Sequence, residues 1–222
     1  MKRPGIAALL SFNGGYVDTA GFLGLQGLFT AHVTGNFVTL GAALVLGTHG
    51  VVAKLLALPE FILVVALARL AGATLSAHGL PAARIILVGK VLLLLAFFLL
   101  AVSLGPFPDS DAPIALLTGF AGIAAMATQN AVQRVHFGHL PPSTLMTGNT
   151  TQATLDLVDL WRGVAPEKAP EVRARLRRMS GSILWFACGC AVSATLYAWI
   201  GLWNLAVPVV VGAVSALMRF ED

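Results

Sequence analysis

The chain has 222 residues, of which 57% are hydrophobic and 11% charged, against about 25% charged in a soluble domain. So little charge cannot give a core of this size a polar exterior, which excludes a soluble globular protein and points to one integrated in a membrane. The formal net charge of +4 and pI of 9.5 reflect arginines placed as an orientation signal and give no argument for a nucleic-acid partner.

In chain order, Met1-Lys2-Arg3 leads into a first apolar span from roughly Gly5 to Leu28, too long for a signal-peptide core and read as retained. Asn13, Gly14, Gly15, Tyr16 and Asp18 interrupt it with small residues that allow close helix contact and with a carboxylate that lipid would not tolerate. Phe29 to Asn36 follows, with Thr30, His32 and Thr34 alternating with apolar residues at the period of an extended backbone. Thr34-Gly35-Asn36 then opens a helix running to about Gly47, and Thr or Asn there predicts an N-cap.

Spans of roughly Leu56 to Ala77, with Arg69 near the middle, and Ile85 to Leu104, with Lys90, complete the first half. A Pro- and Gly-broken linker covers 105–113. A fourth span, roughly Ile114 to Val132, carries Gln129 and Asn130 and precedes a second motif, Pro142 to Asn149, ending in Thr147-Gly148-Asn149. Asn149, Gln152, Asp156 and Asp159 form one stripe at helical spacing. An Arg-rich segment from Arg162 to Arg178, interrupted by Pro166 and Pro170, precedes two last spans of roughly Ile183 to Ile200 and Leu202 to Met218. Trp199 and Trp203 flank the turn between them, at interface level.

The pattern predicts one all-α membrane domain over 1–222, built from internal repeats at about 5–104 and 114–218. Superposing the two Thr-Gly-Asn motifs brings Asp18 to Asn130 with one residue inserted. If the Thr-Gly-Asn helices are re-entrant there are about six spans, and the arginines gather on one side with both termini; if they cross there are about eight. The charge distribution favours six, with the repeats inverted and short interrupted helices near the midplane, as in many secondary transporters.

Gly15-Tyr16-Val17-Asp18, Phe29 through Asn36, and Met146-Thr147-Gly148-Asn149-Thr150-Thr151 also carry a resemblance, over nearly the whole chain, to the YoaK-like family of bacterial inner-membrane proteins, which holds a domain of unknown function. The resemblance implies a six-span protein of the bacterial inner membrane and supplies no activity.

Chemistry therefore comes from the residues. Two buried helix starts converging in low dielectric make a site for an anion or polar group, and the alternative is that they only cap and pack the repeat interface. On the site reading, Thr30, His32, Thr34, Gly35, Asn36, Asn130, Thr147, Gly148, Asn149 and Gln152 bind the solute. Asp18 and Arg69 are read as a coupling group and a solute anchor, or as a structural ion pair with each other. Lys90 is expected to snorkel towards the cytoplasm, and the Asn149 stripe either lines a path to the cytoplasm or is a solvated exit.

Cys188 and Cys190 face different directions and suit buried thiols, and His136 with His139 suits an interfacial loop better than a metal site. Neither a cofactor nor a metal is implied. No nucleophile–base pattern supports an intramembrane enzyme, and buried polar groups in both halves weigh against a non-transporting scaffold. The expectation is a transporter or channel for a small polar or anionic solute, in the bilayer of the bacterial inner membrane, with both termini cytoplasmic and homo-oligomerisation open.

Overall fold

The computed structural model describes residues 5–218. Their regular structure is helical: α1 (Ile6–Gly24), α2 (Asn36–Leu46), α3 (Val51–Ala77), α4 (Ala82–Leu104), α5 (Pro113–His136), α6 (Met146–Arg162), α7 (Ala169–Ile200) and α8 (Ala206–Leu217), with 3₁₀ turns at Val33–Gly35 and Gly201–Leu205. Among the described residues, four helical stretches are long and apolar enough to cross a membrane, namely Val51–Ala77, Ala82–Leu104, Pro113–His136 and Ala169–Leu217. α1 is less hydropathic because Asn13 and Asp18 interrupt it, yet both side chains are buried in protein. Outside the core, Val38, Val45, Leu70 and Leu184 are broadly exposed, as a lipid-facing surface requires.

One end of the bundle is tied together by polar groups. Asp111, just before α5, accepts hydrogen bonds from the N–H groups of Gly50, Val51 and Ala53, and so satisfies the free donors at the start of α3. Lys54 Nζ donates to the carbonyls of Gln26 and His49, and Gln26 Nε2 donates to Phe107. The C-terminal ends of α1, α2 and α4 therefore lie beside the starts of α3 and α5. Gly47 ends α2 in the left-handed conformation (φ 64°) and Gly50 repeats it (φ 89°), so α2 turns directly into α3. At the opposite end Leu10 of α1, Ala83 of α4, Ala216 of α8 and Phe137 after α5 share a second apolar cluster.

These placements make α2 a half-length helix. The chain leaves α1 at one end, turns back through the left-handed Gln26 and Gly27, reaches the level of Asp18, and returns along α2 to the end it left. At 11 residues, α2 spans only about 16 Å.

The two halves of the chain are interlaced. α1 packs most extensively on α7, and α5 packs on α3; α4 packs on α5, and α8 on α1. The α1–α7 crossing is the closest, because added methyl groups would run into the Phe186 carbonyl at Gly15 and the Phe12 carbonyl at Gly189. The main core, around Val17, Leu28, Phe97, Ile123 and Met126, fills the middle of the bundle.

Several boundaries differ from the sequence reading. α7 begins at Ala169, so the Arg-rich segment is helical from there on; Pro170 falls in the first turn, where its missing N–H costs nothing. The last span is a 3₁₀ turn followed by the short α8, since Gly201 (φ 56°) carries the chain back into the bundle. Lys2, Arg3 and Arg219 lie outside the described residues.

Candidate functional site

The first extended segment is held by one carboxylate. Asp18 Oδ1 accepts the backbone N–H groups of Thr30, Ala31 and His32 at 2.9, 2.8 and 3.2 Å, while its Oδ2 lies 3.6 Å from His32 Nδ1. An extended segment inside a helical bundle lacks ladder partners, so its donors need such an acceptor, and a charged one binds them most strongly. Asp18 is thereby anchored to backbone and His32. Arg69 is exposed on α3 near Val135 and His136 of α5, and Asp18's ion pairing among the described residues is with His32, so the expected Asp18–Arg69 pair does not form.

The second segment is held by neutral groups. Gln133 Oε1 accepts the N–H of Ser143 at 3.0 Å and also the Ser143 hydroxyl, and its Nε2 donates to Pro141. Gln129 Nε2 donates to Ser143 Oγ and to the Leu10 carbonyl, and its Oε1 accepts from Lys90. Lys90 is fully buried, which corrects the expectation that it snorkels outward. Asn130 accepts the Thr144 hydroxyl at 2.7 Å. Asn130 occupies the place matched to Asp18, but Gln133 does the work, binding the residue that corresponds to Thr30.

Both motif asparagines reach backwards and cap nothing. Asn36 makes two bonds to the Phe29 backbone, Phe29 N–H to Oδ1 at 2.9 Å and Nδ2 to the Phe29 carbonyl at 2.8 Å. Asn149 donates to the carbonyl of Pro142, the matching residue, at 2.8 Å, and proline has no N–H to return the second bond. Neither α2 nor α6 has a side-chain N-cap, so the expected capping role is replaced by a staple closing the extended segment onto its own helix.

Between the segments lies a cavity of about 480 Å³, walled by Ala31 to Thr34 of the first, Leu140, Pro142, Thr144 and Leu145 of the second, Leu58, Phe61 and Val65 of α3, and Asn130, Gln133 and Arg134 of α5. That size admits a small organic molecule. Of the residues expected to bind solute, His32, Thr34 and Asn130 line it. Thr30 is buried behind the wall, its hydroxyl without a hydrogen-bond partner. Gly35, Asn36, Thr147, Gly148 and Asn149 are not in the wall. α6 starts at Met146, so Thr147 and Gly148 already lie on its exposed face, whereas α2 starts after Thr34 and leaves that residue at the cavity.

Gln152 is also away from the cavity. It donates to Asp156 Oδ1 at 2.9 Å, and Asp156 takes a forked contact from Arg175, with Nη2 to Oδ1 at 2.7 Å and Nε to Oδ2 at 3.0 Å. The guanidinium holds the buried Asp156 carboxyl below its usual range. The polar stripe of α6 therefore faces α7 rather than a solute path.

Sequence reasoning passed over Thr144, Gln133 and Arg134 in the wall, and Glu60, whose Oε2 is buried without a hydrogen-bond partner. Their signals were present: amides at spacings of three and four on α5, and an acid next to Pro59 in an apolar run.

No curated protein and no solved structure matches the chain. A family model, DUF1275, described as a protein of unknown function, matches residues 6–218, and the chain belongs to that family.

Proposed function

We propose that the protein is a six-span transporter of the bacterial inner membrane, built from two inverted repeats, that binds a small polar or anionic solute between its two extended segments. The observation that carries this is the shared cavity: matching segments from the two halves, each stapled by its own asparagine and held by a buried polar side chain, form opposite parts of one wall. Irregular backbone at membrane depth is tolerated where it is buried in protein or lines a cavity, and in secondary transporters such backbone forms the binding site.

The inverted arrangement is supported by the half-length α2, which returns to the end it came from. α1, α3 and α4 then cross in the first half, and α5, α7 and the Gly201–Leu217 stretch in the second. Arg84, Arg134 and the arginines of α6 and α7 gather at the end opposite Lys54, Asp109 and Asp111, which the positive-inside rule makes cytoplasmic along with both termini. On this reading the site is not the helix N-termini themselves but the extended segments that precede them.

The test is saturable uptake of labelled small solutes into proteoliposomes, comparing the wild type with an Asn130→Leu, Thr144→Val double variant. A solute carried by the wild type and lost in the variant supports the proposal. Equal uptake by the two would place the path elsewhere and overturn it.

A further inference from the structure

Resting on that reading of the cavity, we infer that the solute is an organic anion with an apolar body, a carboxylate of about the size of benzoate, whose charge is held by Arg134 and whose body lies against Leu58, Phe61 and Val65. The cavity wall contains one fixed cation, Arg134, and no aspartate or glutamate. No ion pair among the described residues engages that guanidinium; Asp18 is turned away into the backbone of the first segment behind His32, and Glu60 of α3, next to Phe61, is not part of the wall. The field inside the cavity therefore favours a negative ligand. A planar guanidinium suits a carboxylate, which can take two parallel N–H bonds from it.

The rest of the wall argues against a small inorganic anion. A bare phosphate or chloride would leave most of a cavity of about 480 Å³ unfilled, facing three large apolar side chains of α3. A phenyl or short alkyl group would bury that surface instead. Asn130 supplies further polar contact opposite: its Oδ1 is occupied by the Thr144 hydroxyl and one Nδ2 hydrogen by the Met126 carbonyl, which leaves the other hydrogen for a ligand oxygen.

The experiment measures binding to the purified full-length protein in detergent by isothermal titration, with benzoate, benzyl alcohol and inorganic phosphate as probes. Benzoate should bind roughly tenfold or more tightly than benzyl alcohol, the difference expected for one charge-assisted contact. Phosphate should bind more weakly than either. Arg134 is exposed, so Arg134→Gln should fold normally, and it should bring benzoate and benzyl alcohol to within about twofold of each other. Phe61→Ala should weaken both aromatic probes alike while keeping the preference for the acid.

Phosphate binding as tightly as benzoate would overturn the apolar part of the inference. Equal binding of benzoate and benzyl alcohol to the wild type would mark a purely apolar or lipid slot and overturn the anionic part, as would an unchanged benzoate preference in Arg134→Gln. Binding is read here without transport. A cavity that binds benzoate in a protein that moves nothing across a bilayer would refute the transport reading and leave this inference standing.

Discussion

Replacing Asp18 by alanine removes the single acceptor shared by three backbone N–H groups in a water-poor interior. A buried donor left without a partner costs about 1–3 kcal/mol, so the loss should be at least ~3 kcal/mol even when the groups relax together. Asp18→Asn keeps a carbonyl oxygen in place of the carboxylate but gives up the charge that strengthens each bond, so it should fall between the wild type and Asp18→Ala. Unfolding the purified protein with sodium dodecyl sulfate, followed by tryptophan fluorescence, gives the three stabilities. Because Arg69 is exposed and unpaired with Asp18, adding Arg69→Gln to Asp18→Ala should change the result by no more than ~0.5 kcal/mol, the additivity of distant sites. A loss below ~1 kcal/mol in Asp18→Ala, or recovery on adding Arg69→Gln, would refute the account of Asp18 as the anchor of the first segment.

In the same unfolding assay Asn36→Leu should cost more than Asn149→Leu, because Asn36 makes two backbone bonds to Phe29 and Asn149 makes one to Pro142; equal losses would contradict the staple. Gly189→Ala should destabilise by about 1–3 kcal/mol, since the new methyl meets the Phe12 backbone, whereas Gly181→Ala on the same helix, with open space around it, should be neutral or stabilising. The α6–α7 contact should depend on pH in one direction. Arg175 lowers the folded pKa of Asp156 below its ordinary 3.8, so the stabilisation is present in full above that value and fades as the pH falls from there through the lower folded value. Limited proteolysis of the Gly163 to Lys168 turn should accelerate over that acidic range with an acid-active protease, and Asp156→Asn should flatten the dependence.

Much of the architecture was legible in the sequence, and the limits of that legibility are specific. Composition dictated the membrane setting, and the segments that precede the two Thr-Gly-Asn motifs supply part of the cavity wall, while of the motif residues themselves Thr34 alone lines it. Partner choice was not legible. Asp18 and Arg69 look like a pair when charges alone are counted, yet a carboxylate beside an extended segment finds backbone donors first, and these leave no mark in a side-chain pattern. The roles of the two motif copies diverged for a geometric reason: α6 starts one residue before its Thr-Gly-Asn and α2 only at the asparagine, so the same tripeptide presents Thr34 to the cavity and turns Thr147 away. Lys90 was misplaced because a lysine in an apolar helix reads as snorkelling unless the acceptor, here Gln129 on another helix, is known. Ser110, in the Pro- and Gly-broken linker, is buried beside Asp111, which accepts the Gly50 N–H at the start of α3.

The central proposal, that the cavity between the two extended segments is a solute path across the membrane, is tested most directly by cysteine accessibility. In a background with Cys188 and Cys190 replaced by alanine, Thr34→Cys at the cavity wall and Thr48→Cys, exposed between α2 and α3, are treated with a membrane-impermeant thiol reagent in right-side-out and inverted vesicles. Thr48→Cys should react from the periplasmic side alone, and Thr34→Cys from both sides. Reaction of Thr34→Cys from one side only, or of Thr48→Cys from the cytoplasmic side, would contradict the account.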